Sequence, residues 1–138
     1  MNDRRVGVIG YGSIGRQLTA QWRAQPIAGF LLAAVLVRPH QQEEARAVLS
    51  VDIVVTADMD VFMDSGLDRV IEAAGQGAVH EHGEAVLRRG CDLMILSVGS
   101  LAAPGTIERL TAAARSTGRR VIVPVGAIAG LDGLMALR

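Results

Sequence analysis

The feature that most constrains this chain is the motif Gly-x-Gly-x-x-Gly, formed by Gly10, Gly12 and Gly15. An apolar run before it predicts a strand over Arg5–Ile9, and the pattern after it predicts a helix over Ser13–Ala24. In this setting the first glycine permits a tight turn, the second lets the backbone approach a phosphate, and the third lets the helix pack closely on the sheet. The motif therefore predicts a βαβ unit that binds a dinucleotide, with the pyrophosphate at the helix N-terminus. The alternative is a glycine-rich turn that binds nothing.

Strand and helix patterns alternate along the rest of the chain. This alternation predicts an α/β fold, a doubly wound parallel sheet of about six strands in the Rossmann NAD(P)-binding arrangement. The further strands are predicted over Phe30–Val37, Asp52–Thr56, Arg69–Ala73, Leu93–Ser97 and Val121–Pro124. The further helices are predicted over Gln42–Leu49, from a cap at Asp58 to Met63, over Ala78–Arg89 and Pro104–Ser116, and from Leu131 through Leu137.

Composition excludes several other classes of protein. The 138 residues fit one domain, and 14 basic residues balance 14 acidic ones, so no basic stripe indicates a nucleic-acid partner. The apolar stretches are shorter than a membrane span, and the N-terminus has no signal-peptide pattern. Cys91 is the single cysteine, so neither a disulfide framework nor a cysteine metal site is expected. We expect Cys91 to be buried, no metal site, and a cytoplasmic location.

The segments that follow the last three predicted strands are rich in Gly, Ala and Ser. They are Ala73–Gly77, Ser97–Ser100 and Val125–Gly130. Ligands of open parallel sheets bind outside the carboxyl ends of the strands. Small residues there leave room for a flat ring and are expected to expose backbone donors to it, although short loops of this kind need glycine in any case. Three such loops beside a phosphate loop favour a dinucleotide over a mononucleotide.

Arg38 stands near the end of the second predicted strand, where an acidic residue normally holds the ribose hydroxyls of NAD. A carboxylate repels a 2′-phosphate, whereas a guanidinium can pair with it bidentately. Arg38 therefore favours NADP, or a site that tolerates both NAD and NADP. The alternative is an ordinary exposed arginine. His40 could assist Arg38.

Four blocks of this sequence resemble the L-aspartate dehydrogenase family. They are Gly10–Gly15, Val70–Ala74, Leu96–Leu101 and Gly126–Asp132. The last two blocks are the specific part of the resemblance, since many dehydrogenases share the glycine motif. The resemblance extends along essentially the whole chain. It implies an enzyme that interconverts L-aspartate and iminoaspartate with NAD or NADP, and whose imine can feed pyridine-nucleotide biosynthesis.

The resemblance also implies cofactor-binding positions. The pyrophosphate would be bound by Gly10, Tyr11, Gly12, Ser13, Ile14 and Gly15. The route to the nicotinamide would be lined by Ala74, Gly75, Ser97, Val98 and Gly99. Gly126 and Ala127 would lie beside the nicotinamide ribose. Val125 departs from the family pattern, which usually has serine at this position.

In that family a second, α+β domain carries the catalytic histidine and most of the substrate pocket. The resemblance therefore implies that residues 1–138 are the dinucleotide-binding domain alone, and we assign no catalytic residue. We expect His80 and His82 to have surface or helix-end roles, because residues two apart do not share a helical face. We expect Glu72 to satisfy a backbone or neighbouring polar group.

The apolar residues near the end of the sequence lead us to expect a homodimer or a mobile segment from Gly126 onward. Two other functions remain open. One is the cofactor domain of another two-domain dehydrogenase, such as homoserine dehydrogenase. The other is a non-catalytic domain that senses NAD(H) through its oligomeric state. Fold alone does not decide between these functions.

Overall fold

A computed structural model describes residues 2–124. It contains six strands: β1 Arg4–Ile9, β2 Phe30–Leu36, β3 Val54–Thr56, β4 Arg69–Glu72, β5 Asp92–Ile95 and β6 Val121–Ile122. Five α-helices alternate with them: α1 Ser13–Ala24, α2 Gln42–Val48, α3 Met59–Met63, α4 Gln76–Arg88 and α5 Thr106–Thr117. Two short 3₁₀ segments cover Pro39–Gln41 and Val98–Ala102. The expected helix over Leu131–Leu137 lies outside the described residues.

The six strands form one parallel sheet in the order β3-β2-β1-β4-β5-β6. The chain begins in the middle of the sheet at β1 and adds β2 and β3 on one side. It then crosses to the other side of β1 and adds β4, β5 and β6. The direction of winding reverses between β1 and β4, which opens a crevice at their carboxyl ends. The predicted fold class, a doubly wound Rossmann sheet, is confirmed.

Each face of the sheet is covered by its own apolar core. On one face, Trp22 of α1 and Ala45 of α2 pack against strand residues such as Val8 and Val35. On the other face, α3, α4 and α5 supply residues that include Phe62, Val86 and Leu110. The strands between these layers are almost continuously apolar, as expected for a parallel sheet buried on both faces.

Most helix ends follow the signals in the sequence. The Asp58 carboxylate accepts hydrogen bonds from the Asp60 and Val61 amides, so its predicted role as the cap of α3 is confirmed. Gly90 follows α4 with φ +86°, as predicted for a residue just past a helix. The helix predicted over Pro104–Ser116 begins two residues later, at Thr106, after Gly105 in the left-handed conformation.

The amino-terminal edge of the sheet carries a network of ion pairs around Asp92. Its carboxylate accepts 3.0 Å hydrogen bonds from the backbone amide and the guanidinium of Arg120, and Arg69 lies 3.6 Å away. Burial alone would raise the pKa of Asp92. The hydrogen bonds from Arg120 and the charge of Arg69 outweigh that effect and hold the pKa below its ordinary value of 3.8.

We therefore predict that Asp92→Asn lowers the free energy of unfolding by about 1–3 kcal/mol at neutral pH, because it removes the charge from these hydrogen bonds. A lowered folded-state pKa means that the stabilisation is present above the unfolded-state value and is lost as the pH falls through the folded-state value. Wild type and variant should converge in acid, as measured by denaturant unfolding. The exposed Asp52→Asn variant is the control, and an Asp92→Asn deficit that persists unchanged in acid would contradict this account.

Candidate functional site

A cleft of about 710 Å³ opens at the carboxyl edge of the sheet, where the winding reverses. Five of the predicted site residues line it: Gly10, Tyr11, Gly12, Arg38 and Ala74. The remaining described ones lie at the same edge without lining this cleft: Ser13, Ile14, Gly15, Gly75, Ser97, Val98 and Gly99. Gly126 and Ala127, together with Val125, lie outside the described residues.

The three glycines of the motif differ in how much space a side chain would have at each position. Gly10 has φ +112°, and a Cβ there would lie 2.7 Å from the carbonyl oxygen of Ala73. A Cβ on Gly15 would overlap the carbonyl oxygen of Gly10. These two glycines therefore serve the turn and the close approach of α1 to the sheet. Gly12 has no atom within 4 Å of an added Cβ, so the space above it is open.

The N-terminus of α1 is left free. Its N-cap residue is Gly12, no side chain caps the helix, and its first turn contains no acidic residue. The amides of Ser13, Ile14 and Gly15 have no acceptor within the helix. Free amides and the positive end of the helix dipole attract an anion, and open space above Gly12 gives it access. The local geometry therefore fits a diphosphate.

Two side-chain contacts hold the glycine loop against α2 and the end of β2. The Gln41 carboxamide donates to the Tyr11 carbonyl oxygen and accepts from the Arg38 amide, both at 3.0 Å. Arg16 forms a bidentate ion pair with Glu44 and lies 4.6 Å above the Tyr11 ring. The Tyr11 side chain is thus buried behind the loop, and only its backbone remains available to a ligand.

Glu72, the last residue of β4, is 1% exposed. Its Oε1 accepts hydrogen bonds from the Ala74 and Gly75 amides and from the Ser97 hydroxyl, each at 2.8 Å. Its Oε2 accepts from the Ser97 amide at 3.0 Å. The expectation that Glu72 satisfies neighbouring polar groups is confirmed. The expectation that the donors of these two loops face a ligand is wrong for Ala74, Gly75 and Ser97, because those donors point to Glu72.

Sequence reasoning missed several residues of the cleft. The cleft is also lined by Gly77, from the small-residue loop singled out in the sequence, and by residues that were not singled out as ligand-binding: Ala57, Met59, Ala78, Glu81 and His82. They follow β3 or belong to the first turns of α4. His82 is half-buried and lines the cleft, with a ring nitrogen 3.7 Å from the Glu81 carboxylate. His80 is exposed, as expected.

The other side chains singled out in the sequence have structural roles. The Cys91 thiol is buried and donates to the Leu67 carbonyl oxygen at 3.0 Å, and burial raises its pKa. Across residues 2–124, no group of three or more His, Cys, Asp or Glu side chains is arranged to hold a metal ion. No helix in this part of the chain is long and apolar enough to cross a membrane.

Comparisons with known proteins agree with this geometry. A family model described as "Homoserine dehydrogenase, NAD binding domain" matches residues 10–124. L-aspartate dehydrogenase of Archaeoglobus fulgidus is 38% identical over 132 residues, which cover 95% of this chain and 50% of the relative. L-aspartate dehydrogenase of Cupriavidus taiwanensis is 37% identical, with coverage of 96% and 49%. The crystal structure of aspartate dehydrogenase from Thermotoga maritima superimposes with a TM-score of 0.65 at 25% identity, covering 98% of this chain and 51% of that one.

The doubly wound sheet and the glycine loop at its reversal point define an NAD(P)-binding domain of the Rossmann type. The chain belongs to the family of homoserine dehydrogenase NAD-binding domains. Its curated relatives are L-aspartate dehydrogenases, so the resemblance predicted from the sequence motifs is confirmed. The chain spans about half the length of the curated relatives it matches.

We predict that Gly12→Val weakens cofactor binding more than about tenfold, or roughly 1.4 kcal/mol, without unfolding the domain. The backbone of Gly12 has φ −85°, which valine can adopt, and its Cβ would enter only the open space above the loop. Calorimetry with NADPH or NADH measures the affinity, and thermal unfolding checks the fold. Ala112→Val, on an exposed position of α5, is the matched control. Unchanged affinity in a folded Gly12→Val variant would show that the pyrophosphate binds elsewhere.

Proposed function

We propose that this chain is the cofactor domain of an amino-acid dehydrogenase that acts on L-aspartate. The cofactor part of the proposal rests on the free N-terminus of α1 and the open space at Gly12, because such a helix end attracts an anion such as a diphosphate. The names of the curated relatives support the substrate part.

The cofactor would lie across the edge of the sheet. Gly10–Gly15 would hold the pyrophosphate on the α1 amides. The adenosine half would lie toward Arg38 and the residues that sequence reasoning missed, such as Met59 and Ala78. The nicotinamide half would pass the ends of β4 and β5, toward Ser97, Val98 and Gly99, and then reach Gly126 and Ala127.

The proposed reaction converts L-aspartate and NAD(P)⁺ to iminoaspartate, NAD(P)H and a proton, after which water hydrolyses the imine to oxaloacetate and ammonia. The bound cofactor supplies the hydride acceptor, and this domain supplies binding and orientation. We assign no catalytic residue within the described chain, and we propose that the proton-transferring histidine belongs to a further domain of the enzyme. A cytoplasmic homodimer that supplies pyridine-nucleotide biosynthesis completes the proposal.

A homoserine dehydrogenase is the second candidate, because the matching family model carries that description. The substrates distinguish the two functions: one carries an amine at the carbon that is oxidised, the other a hydroxyl. Assay of the whole enzyme with L-aspartate and with L-homoserine, each with NAD⁺ and NADP⁺, decides between them.

The position of Arg38 bears on the choice between NAD and NADP. Arg38 is exposed at the cleft, and no carboxylate in residues 2–124 forms an ion pair with its guanidinium. Gln41 holds the Arg38 backbone amide in place. The Arg38 backbone is thus held in place, while its guanidinium is not engaged by a carboxylate of residues 2–124. This arrangement suits a 2′-phosphate. We propose that the site prefers NADP.

If this proposal is right, Arg38→Asp should weaken binding of NADP⁺ by about 1.5–3 kcal/mol, the contribution of one charged hydrogen bond, and spare or improve binding of NAD⁺. Calorimetry with both cofactors provides the comparison. Arg4→Asp introduces the same change of charge at the opposite edge of the sheet and should leave the NADP⁺/NAD⁺ ratio unaltered. Equal losses for both cofactors in Arg38→Asp would instead assign Arg38 a general electrostatic role.

We also predict that the 138-residue chain binds reduced cofactor but does not turn over substrate. Fluorescence of NADPH on addition of the chain should report binding. Mixtures of the chain with L-aspartate and NADP⁺ should form no NADPH above background, since the substrate walls and the proton-transferring histidine are assigned to a further domain. Turnover that is specific for L-aspartate would show that the catalytic group lies within these 138 residues.

A further inference from the structure

We propose that Glu72 is the positioning residue for the nicotinamide half of the cofactor, a role that rests on the proposed function. Its carboxylate ties the loop after β4 to the loop after β5, and these are the two strand ends that the nicotinamide half must pass. It does so without touching the cofactor itself, because its side chain is buried beneath both loops.

The contacts of the Glu72 carboxylate explain how one side chain fixes two loops. The amides of Ala74 and Gly75 belong to the turn that leads into α4, and both donate to Oε1. Ser97 lies 25 residues further along the chain and donates its hydroxyl to Oε1 and its amide to Oε2. Because both oxygens are used, the carboxylate cannot rotate without losing a bond from one of the loops.

The charge of Glu72 is balanced by dipoles rather than by a cation. No arginine or histidine in residues 2–124 forms an ion pair with it. A buried carboxylate without a counterion is costly unless several donors point at it. Four donors from the two loops meet that requirement: the amides of Ala74, Gly75 and Ser97, and the Ser97 hydroxyl. The positive end of the nearby helix α4 adds to their effect.

This arrangement also gives the cofactor a direction. Two long helices, α1 and α4, begin at the reversal point of the sheet, and each offers a positive N-terminus. Neither helix has an acidic residue in its first turn or a side-chain cap. Glu72, however, places a carboxylate against the Ala74 and Gly75 amides, which immediately precede α4, and α1 has no such carboxylate at its N-cap. The phosphates are thereby directed to α1 and away from α4. The part of the cofactor without phosphates is left to pass the ends of β4 and β5.

A purely structural carboxylate would affect all ligands alike, so the test compares two ligands that differ only in the nicotinamide. NADPH and 2′-phospho-ADP-ribose share the adenosine, pyrophosphate and ribose groups. The ratio of their dissociation constants, measured by calorimetry on the 138-residue chain, reports the contribution of the nicotinamide. In wild type NADPH should bind more tightly. Glu72→Gln keeps the shape of the side chain but places an NH₂ group against donors.

We expect Glu72→Gln to reduce the preference for NADPH over 2′-phospho-ADP-ribose by about tenfold, which corresponds to one hydrogen bond to a charged group. The affinity for 2′-phospho-ADP-ribose itself should change less than about twofold. Asp92→Asn is the matched control: it neutralises a second buried carboxylate with backbone and side-chain donors, at the opposite edge of the sheet. It should reduce stability and leave the ratio at its wild-type value.

A second variant keeps the test decisive if Glu72→Gln does not fold. Glu72→Asp retains the charge near the Ala74 and Gly75 amides, but is too short by one methylene to keep the bonds to Ser97, and it should narrow the ratio in the same direction. The proposal for Glu72 would be overturned if a folded Glu72 variant left the ratio of the two dissociation constants unchanged, with equal losses of affinity for both ligands. It would also be overturned if wild type bound NADPH and 2′-phospho-ADP-ribose equally well. Wild type that binds neither ligand would instead contradict the proposed function.

Discussion

The carboxyl edge of this domain depends on how the positive ends of two helices are satisfied. Just before α4 a carboxylate of the protein itself, Glu72, accepts hydrogen bonds from the Ala74 and Gly75 amides. At α1 the amides of the first turn have no partner within the helix, and the N-cap residue is a glycine with open space above it. One helix end therefore has a carboxylate of the protein beside it, whereas the other is open to an anionic ligand.

The rest of the fold holds α1 in the position that this requires. Gly15 allows the helix to approach the Gly10 carbonyl oxygen more closely than any side chain would permit. Gln41 and the Arg16–Glu44 ion pair then fix the loop from the side of α2. The apolar layers on both faces of the sheet keep these elements in register, so the binding edge is preorganised by the core rather than by the ligand.

The local features of the chain could be predicted from sequence, because each depends on neighbours within a few residues. The glycine motif, the Asp58 cap and the alternation of strands and helices are of this kind. The partners of Glu72 could not be predicted, since Ser97 meets it only through the pairing of β4 with β5. The place of His82 in the cleft was missed for the same reason, since it depends on the position of α4 across from the glycine loop and the segment after β2.

A diphosphate is expected to bind the free end of α1 in preference to the end of α4, beside which Glu72 places its carboxylate. Titration of the isotope-labelled chain with ADP, followed by amide chemical shifts, tests this most directly. The amides of Ser13, Ile14 and Gly15 should shift strongly, while those of Ala74, Gly75 and Ser97 should stay close to their ligand-free positions. Strong shifts at Ala74 and Gly75 with none at Ser13–Gly15 would contradict it.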